Sequence, residues 1–266
     1  MVTLTESQLG FFEDNGYLIL RQVIPPARVV ELRQAALDVV MGKDEGVRIS
    51  NTVTLENGTR ATQILEAYRA NPILDQFTRH SELRAVAAQL MQTSEVRLWY
   101  DQIGYKEPRT GGAVGCHQDF YYWRHVSTTN MVTSWTALTE ATVESGSVYV
   151  VPGSHLWGDI DCPLFNVFSR DPEYLINNCL NNEQRQAVVR QPLILEPGDV
   201  SFHHCLTLHG SFPNTSESPR IGYIHHYFPA EARYIAAKDI HKRHEIDVAD
   251  GELIRGEQFP LLWSRS

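Results

Sequence analysis

The sequence predicts a mainly β protein, an antiparallel sandwich or barrel with a layer of helices at its N-terminal side. Three observations carry that prediction. From residue 95 onward, short aromatic and β-branched runs follow one another: VRLWYDQIGYKEP, VTSWTALTE, SVYVVPG, PLILEPGDVSF, LTLHGSF and RIGYIHHYFP. Gly, Pro, Asn and Asp bound them, which is how short strands are punctuated in all-β architectures. Before residue 95 the apolar positions follow a helical period instead. The composition, 42% hydrophobic and 21% charged over 266 residues, is that of an ordinary globular chain able to bury a large core.

The elements follow in order. Thr5-Glu6-Ser7-Gln8 has the form of a capping box and predicts a helix to about residue 14, stopped by Asn15-Gly16. Residues 17–23 read as a strand. Pro25-Pro26 open a second helix whose apolar stripe is Val29, Val30, Leu32, Ala36 and Val39. Residues 44–71 are weakly patterned, as loop and strand, and Ser81 is read as the cap of a helix reaching about Met91. Gly146 falls in a turn between two strands, and Pro152-Gly153-Ser154-His155 closes the second of them. Residues 156–191 interrupt the strands, with one short helical piece near 183–188. Insertions of that length are often lids or binding loops. The expected organisation is one domain over residues 1–266: a helical layer to about 94, a β core over about 95–230 and an irregular tail over 231–266.

Charge and composition exclude several function classes. The net charge is -9 and no Lys/Arg run is present, which argues against nucleic acid as a partner. No stretch is apolar for long enough to span a bilayer. The segment MVTLTESQLGFFEDNG is acidic and lacks the basic and apolar regions of a secretory signal. A cytoplasmic protein, monomeric or a small homo-oligomer, is expected. Cys116, Cys162, Cys179 and Cys205 form neither a CxxC pair nor a zinc-knuckle spacing. They are expected to be reduced, with Cys116 a small buried residue.

One stretch points to chemistry. GCHQDFYYW, residues 115–123, sets His117 and Asp119 two apart with aromatic residues behind them. On a strand, period two would turn both side chains to one face, toward one ion. A third ligand must then come from another strand. His209, in LTLHGSFPNTSESPR after the turn EPGD, is the best candidate among the eleven histidines. His203 competes with it, or stands just behind it, if alternation puts the two on one face. Two histidines and one carboxylate leave one face of an octahedral ion open, which suits a non-haem Fe(II) that must bind a co-substrate and oxygen together. Four closed ligands would suit structural zinc instead. A hairpin through residues 213–219 would return Arg220 beside His209, where a buried guanidinium can hold a carboxylate by two prongs.

Taken together these pieces resemble the phytanoyl-CoA dioxygenase family of Fe(II)- and 2-oxoglutarate-dependent oxygenases. The matching residues are HQD at 117–119 with Tyr122-Trp123, Trp135 with Ala137-Leu138, Glu144-Ser145-Gly146, VVPGSH at 150–155, EPGD at 196–199, HGS at 209–211, Asn214 and Arg220. The resemblance covers roughly residues 8–230. It implies a double-stranded β-helix, a jelly-roll or cupin-like core with flanking helices. It implies His117, Asp119 and His209 as iron ligands, and Arg220 as partner of the distal carboxylate of 2-oxoglutarate. Trp135 and Gln102 would line the co-substrate pocket, with Ser211 near the same carboxylate. Halogenating relatives replace the carboxylate ligand by a small residue. Asp119 is present here, so the implied reaction is oxygen insertion or another oxidation by O2.

The substrate is expected to be a small molecule, with natural-product tailoring favoured over an acyl-CoA, whose phosphates would call for basic residues. The expected substrate contacts are Tyr122, Trp123, His155, Trp157 and His225. His225 and His226 present one ring to each face of the last core strand, and one of them, with His155 or His125, would touch substrate. Trp157, Phe165 and Phe168 of the insertion could cover the site. Phe120, Tyr121, Tyr122, Trp123 and Trp135 would keep it dry. Two other readings are a cupin-like metal-dependent isomerase or hydrolase, and a non-catalytic jelly-roll binder. Arg220 argues against the first and an open-faced ligand set against the second.

Overall fold

The computed structural model describes residues 2–42, 50–54, 60–162, 171–239 and 246–265, with the backbone alone at 50–54, 60 and 61. Four helices come first: α1 (Glu6–Asn15), α2 (Pro26–Val40), α3 (Pro72–His80) and α4 (Leu83–Leu90). Between α1 and α2 lies β1 (Tyr17–Leu20), and between α2 and α3 lie β2 (Ser50–Thr54) and β3 (Arg60–Leu65). The core continues with β4 (Glu95–Lys106), β5 (Val114–His117), β6 (Val132–Ala137) and β7 (Val148–Val150). After these come α5 (Tyr174–Cys179), α6 (Asn182–Ala187), β8 (Gln191–Pro192), β9 (Val200–His204), β10 (His209–Ser211), β11 (Arg220–Pro229) and β12 (Leu261–Ser264).

The strands form two antiparallel sheets. The larger runs β1-β9-β6-β11-β4-β3-β2, with β12 added to β4, and the smaller runs β5-β10-β7-β8. This is the jelly-roll expected from the sequence. The helices cover one face of the large sheet. Leu32, Leu74, Leu83 and Val86 pack there with Leu18, Leu98, Phe202, Tyr223 and Tyr227. The other face of that sheet and the inner face of the small sheet enclose a cavity.

Local chemistry accounts for the helix ends. At α1 the Thr5 side chain accepts from the Gln8 N–H while the Gln8 side chain accepts from the Thr5 N–H, and Gly16 ends the helix at φ 73°. Pro26 opens α2, and Val29, Leu32, Ala36 and Val39 are buried, but Val30 is 55% exposed and stands outside the predicted stripe. The strand expected over 17–23 stops at Leu20, because Gln22 turns to positive φ and its N–H donates to Asp199. Ser81 is not an N-cap. Asn71 caps α3, whose run to His80 leaves Ser81 as its C-cap, and α4 starts at Leu83 with no side-chain cap. The tail is less irregular than expected, since β12 returns to pair with β4.

The described residues of the insertion, 156–162 and 171–191, pack away from the cavity. Ile160, Cys162, Leu175, Ile176 and Leu180 pack with Cys116 and Tyr149 of the small sheet. None of the described residues of this insertion lines the cavity, and Phe165 and Phe168 lie outside the described residues. Cys162 and Cys179 are joined in a disulfide across 17 positions. That corrects the expectation of four reduced cysteines: spacing showed no pair because the fold of the insertion brings the two together. Cys116 and Cys205 are free and buried, as predicted for Cys116. Among the described residues no helix is long and apolar enough to cross a membrane.

Candidate metal centre and co-substrate cavity

His117 is the last residue of β5 and pairs in register with His209, the first residue of β10. Their rings sit 4.1 Å apart between centroids. Asp119 is not on the strand. It opens a 3-10 turn, 119–122, so the period-two argument for HxD fails in detail. The carboxylate reaches the same side because Gln118 anchors the turn. Its Nε2 donates to the Gly158 and Leu206 carbonyls at 2.8 and 2.7 Å, and its Oε1 accepts from the Ile160 N–H at 2.9 Å.

His117, Asp119 and His209 each bring a donor atom, all within 4.8 Å of one another, and all three residues are buried. Asp119 Oδ1 lies 3.7 Å from His117 Nε2 and 3.6 Å from His209 Nε2. Donors about 2.1 Å from a shared ion stand about 3 Å apart when cis and about 4.2 Å when trans, so the three fit one ion. The imidazoles are in the right form for it. His117 Nδ1 donates to the Gly115 carbonyl at 2.8 Å and His209 Nδ1 to the Thr207 carbonyl at 2.9 Å. Each Nε2 therefore keeps its lone pair. Burial, with the His117 and His203 rings beside it, holds His209 well below the usual imidazole range and hence neutral. Burial works against the charge on Asp119, but the imidazoles around it, with His203 bonding it directly, hold the carboxyl well below its usual range.

His203 also faces the cavity. It does so from β9 in the large sheet, whereas His209 belongs to the small sheet, so strand parity is not what brings the two rings to 4.3 Å. His203 Nε2 lies 3.2 Å from Asp119 Oδ2. An ionised carboxylate only accepts, so that nitrogen carries the proton and is not a ligand atom.

The cavity runs from this centre to Arg220 and has a volume of about 80 Å³. Arg220 does not return on a hairpin beside His209. Residues 212–219 carry the chain across to the large sheet, where Arg220 begins β11 opposite Lys106 of β4. It is 4% exposed, and its Nε and Nη1 donate to the Gly146 and Gly104 carbonyls at 3.1 and 3.3 Å. Among the described residues no carboxylate pairs with it. Burial lowers its pKa to about 9, which leaves it charged at neutral pH. The Trp135 ring lies under the guanidinium at 5.3 Å, and Gly222 provides the room for that ring. Gln102 and Ser211 line the same cavity, and Ser211 Oγ is buried with no hydrogen-bond partner among the described residues.

The predicted substrate contacts fare less well. Tyr122 and Trp123 are buried in the outer aromatic cluster and do not line the cavity. Trp123 instead packs edge-on against His226 at 4.8 Å. Trp157 packs at the margin of that cluster. His155 bonds the Glu13 carbonyl at 3.0 Å near the end of α1. His225 points to the helical side of the sheet, 3.0 Å from Thr78 Oγ1, because alternation along β11 turns His226 inward in its place. Of the aromatic shell, only Trp135 lines the cavity. His226, the other member of the pair offered by the sequence, lines it, as do Thr133 and Lys106, which were missed. Period two along β6 would have found Thr133 from Trp135, since both face inward.

A jelly roll whose cavity holds two imidazoles and one carboxylate at one end and a buried arginine at the other defines a class, the non-haem iron oxygenases that bind a 2-oxo acid. The sequence pattern of the phytanoyl-CoA dioxygenase family (PhyH) matches residues 12–222, and the chain belongs to that family. It is 23% identical to the peroxisomal phytanoyl-CoA dioxygenase of Homo sapiens over 246 residues, 88% of this chain and 71% of the relative. It is 25% identical to the methylphosphonate hydroxylase of Gimesia maris, over 82% of this chain and 78% of the relative. Among solved structures, the non-heme alpha ketoglutarate dependent carbocyclase SnoK from nogalamycin biosynthesis superposes with a TM-score of 0.79 at 25% identity, over 97% and 96% of the two chains. EctD from S. alaskensis with 2-oxoglutarate and 5-hydroxyectoine gives a TM-score of 0.74 at 21% identity, over 96% and 87%. The protein is an Fe(II)- and 2-oxoglutarate-dependent dioxygenase of that family, a class that uses O2.

Proposed function

We propose that this enzyme oxidises a C–H bond of a small polar molecule in natural-product biosynthesis, coupled to decarboxylation of 2-oxoglutarate to succinate. In this reading His117, Asp119 and His209 hold the iron. Arg220 binds the far carboxylate of 2-oxoglutarate, with Ser211 donating to it and Trp135 and Gln102 flanking the carbon chain. The observation that carries the reading is a single cavity with a neutral-imidazole and carboxylate donor set at one end and, at the other, a buried guanidinium that no carboxylate among the described residues pairs with. A dicarboxylic 2-oxo acid satisfies both ends at once.

When bound, the iron supplies the meeting point for 2-oxoglutarate and O2 and the oxidising power for C–H cleavage. The chain supplies orientation. The two Nδ1–H bonds to backbone carbonyls fix the rings of His117 and His209, and Gln118 fixes the turn that carries Asp119. Arg220, itself held by two carbonyls, sets how far the co-substrate reaches. The likeness to SnoK supports a tailoring role. An acyl-CoA is disfavoured because Lys106 and Arg220, the cations among the described lining residues, are both buried and turned to internal carbonyls.

The test is turnover. Purified protein with ferrous ion and 2-oxoglutarate should release succinate when offered hydroxylated or amine-bearing natural-product scaffolds, and little with acyl-CoAs. Asp119→Ala should abolish it. Full activity in that variant would overturn the ligand assignment, and succinate formed with acyl-CoAs alone would overturn the substrate class.

A further inference from the structure

The oxygen of Asp119 that faces away from the two histidine Nε2 atoms is held from two sides. Thr133 Oγ1 donates to Oδ2 at 2.8 Å, and His203 Nε2 donates to it at 3.2 Å. The Thr133 hydroxyl has one hydrogen and spends it on the carboxylate, so its 2.8 Å contact with His226 Nδ1 runs the other way, from the ring N–H to the hydroxyl oxygen. His226 is in turn set between Tyr100, at 4.4 Å between centroids, and Trp123, at 4.8 Å. Thr133, His203 and His226 are each no more than 3% exposed. They come from three neighbouring strands, β6, β9 and β11, of the sheet that faces the ligand-bearing one.

We propose that Thr133 and His203 are positioning residues that hold Oδ2 of Asp119 off the iron, so that the carboxylate binds through Oδ1 alone, and that His226 acts through Thr133. This rests on the ligand assignment proposed above. The reason it matters is a count of positions. Three protein donors taking one place each on an octahedral ion leave three, two for a chelating 2-oxo acid and one for O2. A carboxylate that swung both oxygens onto the iron would take one of those three. Two hydrogen bonds on Oδ2 occupy the lone pairs such a swing would need. They also set the plane of the carboxylate, as partners behind a metal ligand commonly do. The chain from His226 through Thr133 ends on an anion, so each bond in it polarises the next.

Metal-stripped protein is titrated with ferrous ion under nitrogen in saturating 2-oxoglutarate, reading the charge-transfer absorption of the chelated iron. Thr133→Val and His203→Phe should each weaken iron binding about ten- to a hundredfold, and Thr133→Ser should return most of it. The thermal midpoint of the metal-free proteins should stay near the parent's, which a loss of folding would not allow. His226→Phe added to Thr133→Val should cost little more than Thr133→Val alone. If Thr133→Val and His203→Phe bind iron as the parent does, the proposal is overturned while the ligand assignment stands. A parent that develops no absorption overturns both. Should either variant fail to fold, Thr133→Ser against Thr133→Ala, and His203→Gln, give the same comparison between keeping and losing a donor.

Discussion

At His117 and His209 the decisive atom is the one that does not face the candidate iron site. Each Nδ1 is committed to a backbone carbonyl, which settles the tautomer before any metal arrives. Arg220 has the same character at the other end of the cavity. Two carbonyls align the guanidinium, no acid neutralises it among the described residues, and burial keeps it in a medium where an anion gains most. Replacing Arg220 by Leu should weaken 2-oxoglutarate binding roughly a hundredfold, as loss of one partner of a buried charged pair does. Calorimetry on the iron-loaded protein without oxygen measures it. Arg220→Lys should recover only part, because an ammonium lacks the two-pronged fork.

Among the elements, β11 does the most to join the two ends of the site. It begins with Arg220, places Gly222 under Trp135 and Ile224 beside it, and brings His226 to the carboxylate support. Its other face carries Tyr223, His225 and Tyr227 into the layer under the helices. Gly222 is a steric requirement: a Cβ there would stand 2.2 Å from Cζ2 of Trp135. Gly222→Ala should therefore displace the indole from beneath Arg220 and raise the KM for 2-oxoglutarate about tenfold, with overpacking costing about 1–3 kcal/mol of stability. Adding Trp135→Phe should return part of both losses, and steady-state kinetics with thermal melts follow it. The described residues of the insertion brace the outside of the small sheet. The Arg124 bridge to Asp159 and the bonds of Gln118 tie its start to the turn that carries Asp119.

On the scale of the whole molecule, the buried ionisable groups pull stability in opposite directions with pH. Burial, with neighbouring imidazoles adding to it, pushes His204 down to about 4 and His225 down to about 3. Both are neutral in the folded state, so their contribution is full above about pH 6.5 and is lost as pH falls toward those values. Asp101 works the other way. Burial pushes its carboxyl up to about 7, although the Tyr223 hydroxyl and the Tyr68 N–H that it accepts pull it down. A raised carboxyl contributes stability that is full below about pH 4 and lost as pH rises through about 7. The difference in unfolding free energy between the parent and Asp101→Asn should therefore turn against the parent from pH 4 to pH 7.5. Urea midpoints of the two proteins across that range measure it, and a flat difference would show that Asp101 is ionised throughout.

From the sequence alone came the helical layer, the strand-rich core, the family and the candidate residues His117, Asp119, His209 and Arg220, though not the distance that separates Arg220 from the other three. Those are properties of local pattern: a capping box, period-two runs, and short motifs in a fixed order with Asp119 and Arg220 in place. It could not determine which of two adjacent histidines turns inward, because His225 and His226 differ only by the pleat, and the pleat is set by the register of β11 on β4 and β6. It also could not show Thr133 and His203 meeting on one carboxylate oxygen, or Cys162 meeting Cys179. Those contacts join positions 14, 84 and 17 apart, each on a separate element. A single sequence marks such pairings with no pattern, since only the packing of one sheet over another, and of the insertion on the outside of the small sheet, brings the partners within reach.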